Sequence, residues 1–396
     1  MPSDDAHTST NRLRIVVPRY GEQIVGGSET LARRLATALS IRQWEIDVFT
    51  TTALEEATWA NALTPGVTHE DGVRVHRFPT AFPRSPFLFH QLSRVFFRLP
   101  SSLRPELPWL LAQGPVAPGL VRALRATDAV PTLFIPYLFY PTLFGLPATR
   151  RPRLMIPAGH DERPFYLRRV GRTMALADAL LYSTPEERAL VESVYPAAAA
   201  RPAEVGTVGV EAPPADGERF RHRHGLTRPY LLYGGRMGSS KRFDELMEGM
   251  RRLREVSPDA ALVLMGEAGE ATPPQPGIVP VGRLDEQERW DAIAGAAGVV
   301  SPSYFESLSL LVLEAWALGR PCLVNRASPV LAGQSERSGG AVAYLGADEL
   351  AAGGRKLLED VRFGDRLGAA GRSYVDQHYR WDDVARRISS LIDRVA

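Results

Sequence analysis

The sequence of 396 residues has almost no lysine: of its 47 basic residues, all but Lys241 and Lys356 are arginine. Cysteine is scarcer still. Cys322 stands alone, which excludes an intrachain disulfide framework and any cysteine-based metal site. Neither sign of charge is in excess, since 47 Lys plus Arg against 45 Asp plus Glu leave a net charge of +2. No broad basic field invites nucleic acid, and no acidic tail is present. A long apolar run is also missing. The longest, Val130–Leu146, is broken by Pro131, Pro136 and Pro141, whereas a spanning helix needs about 20 uninterrupted apolar residues. Met1–Asn11 is polar and carries Asp4 and Asp5, unlike a signal or transit peptide. A cytoplasmic protein is expected.

What is present is an ordinary globular composition, 44% hydrophobic and 23% charged. The length suggests two or three domains at roughly 100–200 residues each. Short β-branched runs alternate with helical patterns, the signature of parallel sheets with crossover helices. The pattern predicts strands beginning at Arg14, Ile46, Val73, Leu133, Arg153 and Ala179, then a restart at Tyr230, Ala261, Ile278, Val299 and Pro321. Between the halves Pro196–Arg228, rich in Ala, Pro, Gly and charge, reads as a linker. The expected fold class is α/β, with two Rossmann-like parallel-sheet domains facing a cleft. Their boundaries are set at 1–205 and 206–378, and residues 379–396 form a helix returning to the first domain. Ligands bind such sheets at the carboxyl ends of their strands.

Three helix starts suit anions. The first is Gly26-Gly27-Ser28-Glu29, where backbone N–H groups favour negative charge, although a plain Gly-Gly turn before a helix fits as well. The second follows the strand at Tyr230: Gly234-Gly235-Arg236, four residues, then Lys241 opening a helix. A lysine at a helix N-terminus is electrostatically misplaced unless an anion lies between. Arg236 can fork onto a phosphate while Lys241 supplies a point charge. The third is Glu306-Ser307-Leu308-Ser309-Leu310, leading into an apolar helix whose one charge is Glu314. Such a helix is buried, so Glu314 needs a partner.

Together these residues resemble the retaining glycosyltransferases of family 4, which have the GT-B fold. Gly235-Arg236 followed by Lys241 resembles the family's diphosphate-binding pair, and Glu306 with Glu314 its two glutamates separated by seven residues. Gly209-Val210-Glu211 resembles the turn entering the second domain, and Gly159-His160-Asp161-Glu162 the histidine segment of the cleft. The resemblance implies transfer of a sugar from a nucleotide-diphosphate donor, UDP- or GDP-linked, to a hydroxyl acceptor on a glycan, natural product or lipid. It implies that Arg236 and Lys241 hold the diphosphate, Glu314 the ribose, and Glu306 the charge on the donor sugar. His160 and Asp161 would face the cleft, and Gly26, Gly27 and Ser28 the phosphate or acceptor. Ser307, Leu308, Ser309 and Leu310 would offer backbone amides. Ser309 replaces the glycine of many members, and Gln334-Ser335-Glu336 departs from the sugar-binding glutamate pattern.

No cofactor is expected beyond the nucleotide sugar. No two aspartates are separated by one residue, so the Asp-x-Asp motif that places Mg²⁺ on a diphosphate is absent; cations and helix amides would stabilise the leaving group instead. Rival readings are a nucleotide-sugar 2-epimerase, a phosphorylase, or a non-catalytic nucleotide-sugar-binding protein. A dinucleotide-dependent oxidoreductase lacks its Gly-x-Gly-x-x-Gly after the first strand. Residues 82–98 carry Phe87, Phe89, Phe96 and Phe97 among Arg84, Arg94 and Arg98. They fit a peripheral membrane contact on the inner face, but a helix packed on its sheet or lining an acceptor pocket is the favoured reading. Tyr137, Phe139 and Tyr140 fit an acceptor contact or core packing.

Overall fold

Leu13, Ile15 and Val16 have no exposed surface, and neither do Val48, Leu133 and Leu180. Apolar runs covered on both faces are what parallel strands between helix layers require. The computed structural model describes residues 11–24, 26–235 and 241–396. Among these, the chain divides into two compact units: residues up to Val208 together with Trp381–Ala396, and Gly209–Arg380.

The first unit holds β1 (Arg12–Val16), β2 (Glu45–Thr51), β3 (Gly66–Glu70), β4 (Val73–Phe78), β5 (Thr132–Phe134), β6 (Arg153–Met155), β7 (Ala179–Tyr182) and β8 (Ala203–Val205). Their order is β3-β4-β2-β1-β5-β6-β7-β8. All pairs are parallel except β3 with β4, where Glu70 faces Val73 across a two-residue turn. Asp71 and Gly72 there both have positive φ, 50° and 77°, as a type I′ hairpin turn demands. The last helix, Trp381–Asp393, buries Trp381, Val384, Ile388 and Leu391 within this unit. Arg394 reaches Glu204 at 2.6 Å, and Asp382 meets Arg42 at 2.7 Å.

The second unit holds β9 (Tyr230–Gly234), β10 (Ala261–Met265), β11 (Ile278–Gly282), β12 (Gly298–Ser301), β13 (Cys322–Asn325) and β14 (Ala341–Tyr344). They are ordered β11-β10-β9-β12-β13-β14 and are all parallel. Strand order reverses between β9 and β12, and between β1 and β5 in the first unit. Loops leave such switch points in opposite directions and open a crevice at the strand ends.

The segment expected to be a linker is structured. Pro196–Ala199 and Gly217–Arg223 are helical, and β8 lies between them. Asp216 caps the second of these helices by accepting from the N–H groups of Glu218 and Arg219. His224 lies 3.1 Å from Glu288.

Candidate functional site

In the second unit the site is built on the loops after β9 and β12. Gly235 turns the chain out of β9 with φ +156°, where a Cβ would press on the Tyr233 hydroxyl at 3.1 Å. Arg236 lies outside the described residues. Lys241 does not open a helix, as its position suggested: Arg242 intervenes in the left-handed conformation, and the helix runs Phe243–Val256. Nor is Lys241 an unmatched cation. Its Nζ lies 2.6 Å from Glu306 Oε1, with the two side chains 27% and 13% exposed. Arg242 turns to Glu245 at 2.5 Å and lies over the Tyr304 ring.

Ser309 is buried and occupies the cap of the helix Leu310–Ala317. Its side chain makes no capping hydrogen bond, and its carbonyl accepts from Leu313 N–H. Ser307 and Leu308 are half-buried ahead of it. The first-turn amides, beginning at Leu310, have no acceptor within the helix by geometry. Val312–Ala317 is buried as its apolar periphery predicts, and Glu314 is 2% exposed. The partner that burial required is Arg289, whose Nη1 meets Glu314 Oε2. Arg289 rises from the helix Glu286–Gly295 and lies over the Trp290 ring at 5.2 Å. The sequence requires a partner for Glu314 but carries no distance information with which to pick this one.

In the first unit the loop after β1 places Gly26 and Gly27 at the start of the helix Gly27–Ile41. A Cβ on Gly26 would meet Glu29 Oε2 at 2.3 Å and Arg19 Nη2 at 3.2 Å, so this glycine makes room for a buried ion pair. On Gly27 a Cβ would meet nothing within 4 Å, so the chain itself does not require a glycine there. Ser28 is half-buried beside it. Arg19 holds Glu29 Oε1 through Nε at 2.9 Å and Nη2 at 2.6 Å, and donates to the Leu54 carbonyl at 2.9 Å. Burial pushes the Glu29 carboxyl up, and Arg19 pulls it back. This pair was not legible as a unit in the sequence.

The loop after β6 carries His160. Its Nε2 is 3.2 Å from Glu162 Oε1, which also accepts from the Tyr137 hydroxyl at 2.8 Å. Burial pushes the Glu162 carboxyl up, but the hydrogen bonds and charge of His160, with Tyr137, hold it below its ordinary value. Tyr137, 2% exposed, is therefore a core residue that orients Glu162. Asp161 is exposed and accepts from the Tyr166 hydroxyl at 2.6 Å. Among the described residues no group of three or more His, Cys, Asp or Glu side chains is placed to hold a metal ion.

Two parallel-sheet α/β units, each with loops gathered at a switch point, define the GT-B class. Residues 26–206 match the glycosyl transferase 4-like domain, and residues 228–360 match the glycosyl transferases group 1. The chain belongs to the GT-B glycosyltransferases of the family-4 type. It is 25% identical over 197 residues to the GDP-mannose-dependent monoacylated alpha-(1-6)-phosphatidylinositol monomannoside mannosyltransferase of Corynebacterium glutamicum, covering 46% of this chain and 52% of that one. It is 28% identical over 184 residues to a glycogen synthase of Mycobacterium tuberculosis, 42% of this chain and 43% of that one. The matches thus span about half the length of these curated relatives. Among solved structures it resembles the sucrose-phosphate synthase of Thermosynechococcus elongatus, with TM-score 0.69, 18% identity, and 97% and 98% of the two chains covered. It also resembles Anabaena HepE in complex with UDP and glucose, with TM-score 0.68, 13% identity, and 97% and 100% covered.

Proposed function

We propose that the protein transfers a sugar from a nucleotide-diphosphate donor to a hydroxyl acceptor, with retention of configuration and without a metal ion. The observation that carries this reading is the meeting of Lys241 and Glu306, 2.6 Å apart, on the two loops of the β9/β12 switch point. A cation, a carboxylate and the amino end of the helix Leu310–Ala317 are what departure of a diphosphate from a sugar calls for. Negative charge grows on the leaving group and positive charge on the sugar carbon, and preorganised groups stabilise both. Lys241, with Arg236 and the amides of Leu308, Ser309 and Leu310, takes the diphosphate. Glu306 stabilises the sugar, and Glu314, already held by Arg289, takes the ribose hydroxyls. The leaving phosphate accepts the acceptor's proton. The second unit binds the donor, and the first, with Gly26, Gly27, Ser28, His160 and Asp161, binds the acceptor.

The mannosyltransferase relative is named for GDP-mannose and the HepE structures hold UDP or UDP-glucose, which supports a UDP- or GDP-linked donor. A contact with a membrane surface through residues 82–98 is supported by the helix Pro86–Phe96, on which Phe87, Leu88 and Val95 are 70%, 66% and 59% exposed. Only part of the expected patch serves. Arg84 is tied to the carbonyls of Ala57 and Gln113, and Phe89, Phe96 and Phe97 pack on Trp109. No helix among the described residues is long and apolar enough to cross a membrane.

The test is a panel of UDP- and GDP-sugars incubated with the protein in EDTA, reading released nucleotide and any glycosylated product. Nucleotide release with at least one donor and retention in the product supports the reading. Release that requires orthophosphate indicates a phosphorylase, and epimerised donor indicates an epimerase. No calorimetric binding of any nucleotide sugar overturns all three.

A further inference from the structure

We propose that Glu187 is the positioning residue that sets the turn presenting His160. The proposal rests on the transferase reading only in giving His160 a part in transfer. Glu187 lies in the first turn of the helix Pro185–Val194, where Thr184 accepts from its N–H. Acidic residues in first turns ordinarily face solvent near the helix end, yet Glu187 is 1% exposed and turned inward. A carboxyl group so buried is costly unless its oxygens are hydrogen-bonded. Oε2 accepts from Ser183 N–H at 2.6 Å, and Oε1 accepts from Gly159 N–H at 2.8 Å. The second of these reaches from a different strand and fixes the residue directly before His160.

The backbone around Gly159 needs such a fastening. Ala158 has φ +50°, a left-handed conformation that is unfavourable for a side-chain-bearing residue and persists where its surroundings impose it. Gly159 is pressed against Phe165, whose Cε2 would lie 3.0 Å from a Cβ there. The imidazole is thus aimed from two sides. Glu187 fixes the backbone beneath it, and Glu162, itself oriented by Tyr137, meets its Nε2. Burial pushes the Glu187 carboxyl up to about 7 against the pull of its two backbone donors and of His160, which agrees with a group kept buried for the contacts it makes.

Glu187→Gln keeps shape and volume but leaves one oxygen where two backbone donors point. The expected result is a kcat lowered about 10–10²-fold, the range that ångström-scale misplacement of a reacting group brings, with donor KM changed less than about threefold. In a double-mutant cycle Glu187→Gln should cost almost nothing on top of His160→Ala, because it acts through that ring. Losses that multiply instead overturn the proposal. A second readout needs no turnover: in Glu187→Gln the Gly159 amide should exchange at least about tenfold faster, and the His160 ring resonances should shift. Unchanged exchange and ring shifts overturn the proposal whether or not sugar transfer is found. If both change while the wild type transfers no sugar, the transferase reading fails and the positioning stands. Should Glu187→Gln not fold, the wild type decides. A Gly159 amide exchanging as fast as that of exposed Asp161 overturns the proposal, and strong protection upholds it.

Discussion

Lys241 Nζ sits 2.6 Å from Glu306 Oε1, so the cation proposed for the diphosphate is already held by the carboxylate proposed for the sugar. The pair keeps Lys241 oriented but competes with any anion that approaches it. Glu306→Gln should therefore bind UDP or GDP several-fold more tightly by calorimetry while transfer falls by about 10²-fold or more. Weaker nucleotide binding in that variant would show that Glu306 contacts the nucleotide rather than opposing it.

Lys241→Ala should lower transfer about 10²–10³-fold, with a melting temperature close to wild type, because a 27% exposed ion pair adds little stability. Lys241→Arg separates a surface cation from a compact site. The guanidinium keeps the charge but not the size of an ammonium, so activity should drop nearly as far as in the alanine variant. Full activity in Lys241→Arg would remove Lys241 from the phosphate site.

The Arg289–Glu314 pair behaves differently, because Glu314 is buried. Arg289→Ala removes the Arg289 guanidinium from that buried carboxylate and should cost about 3 kcal/mol in denaturant unfolding, at the low end for a broken buried pair since Arg289 is a quarter exposed. Arg289→Met with Glu314→Leu should recover most of that stability and still fail to bind nucleotide. Recovered binding in the double variant would end the ribose assignment.

The Glu187 carboxyl is raised from 4.5 to about 7 by burial. The fold therefore favours its neutral form, and the stability this group contributes is complete below pH 4.5 and lost as pH rises through about 7. At about 1.4 kcal/mol per pKa unit the loss is about 3 kcal/mol. Comparing wild type with Glu187→Gln from pH 4.5 to 8, each in a His160→Ala background, isolates it, since groups that do not act on Glu187 cancel in the difference. A pH-independent difference would mean the carboxyl titrates normally.

The exposed face of the helix Pro86–Phe96 can be tested without touching the core. Leu88→Asp with Val95→Asp should leave the melting temperature unchanged and reduce sedimentation with anionic lipid vesicles at least about tenfold. Equal sedimentation would assign that face no part in membrane contact.

Much of the fold was legible because parallel strands announce themselves as apolar runs: β4, β7 and β10 begin where the pattern placed them. β3 carried a signal too, Asp71-Gly72 before Val73, but its exposed and polar residues made no apolar run. The helix Val361–His378 was hidden by its glycines, which lower helix propensity. They are there for close packing. A Cβ on Gly368 would fall 1.9 Å from the Gly319 carbonyl, and one on Gly371 would fall 2.3 Å from Trp316 Cδ1. At the site, residue types and spacing exposed Glu306 and Glu314 but not what they touch. Arg289 meets Glu314 25 residues on, and Glu187 meets Gly159 28 residues back, across separate elements, while Arg19 meets Glu29 only ten residues on; no local pattern encodes these pairings.

The helix Trp381–Asp393 has a consequence for the order in which the molecule can be made. It closes the first unit against segments such as Glu204 that leave the ribosome nearly two hundred residues earlier. The second unit, contained in Gly209–Arg380, has all its residues before the first is complete. During synthesis β7 and β8 therefore wait with an uncovered apolar face. A chain stopped short of Trp381 would keep every proposed donor-binding group and still lack the piece that completes the other half.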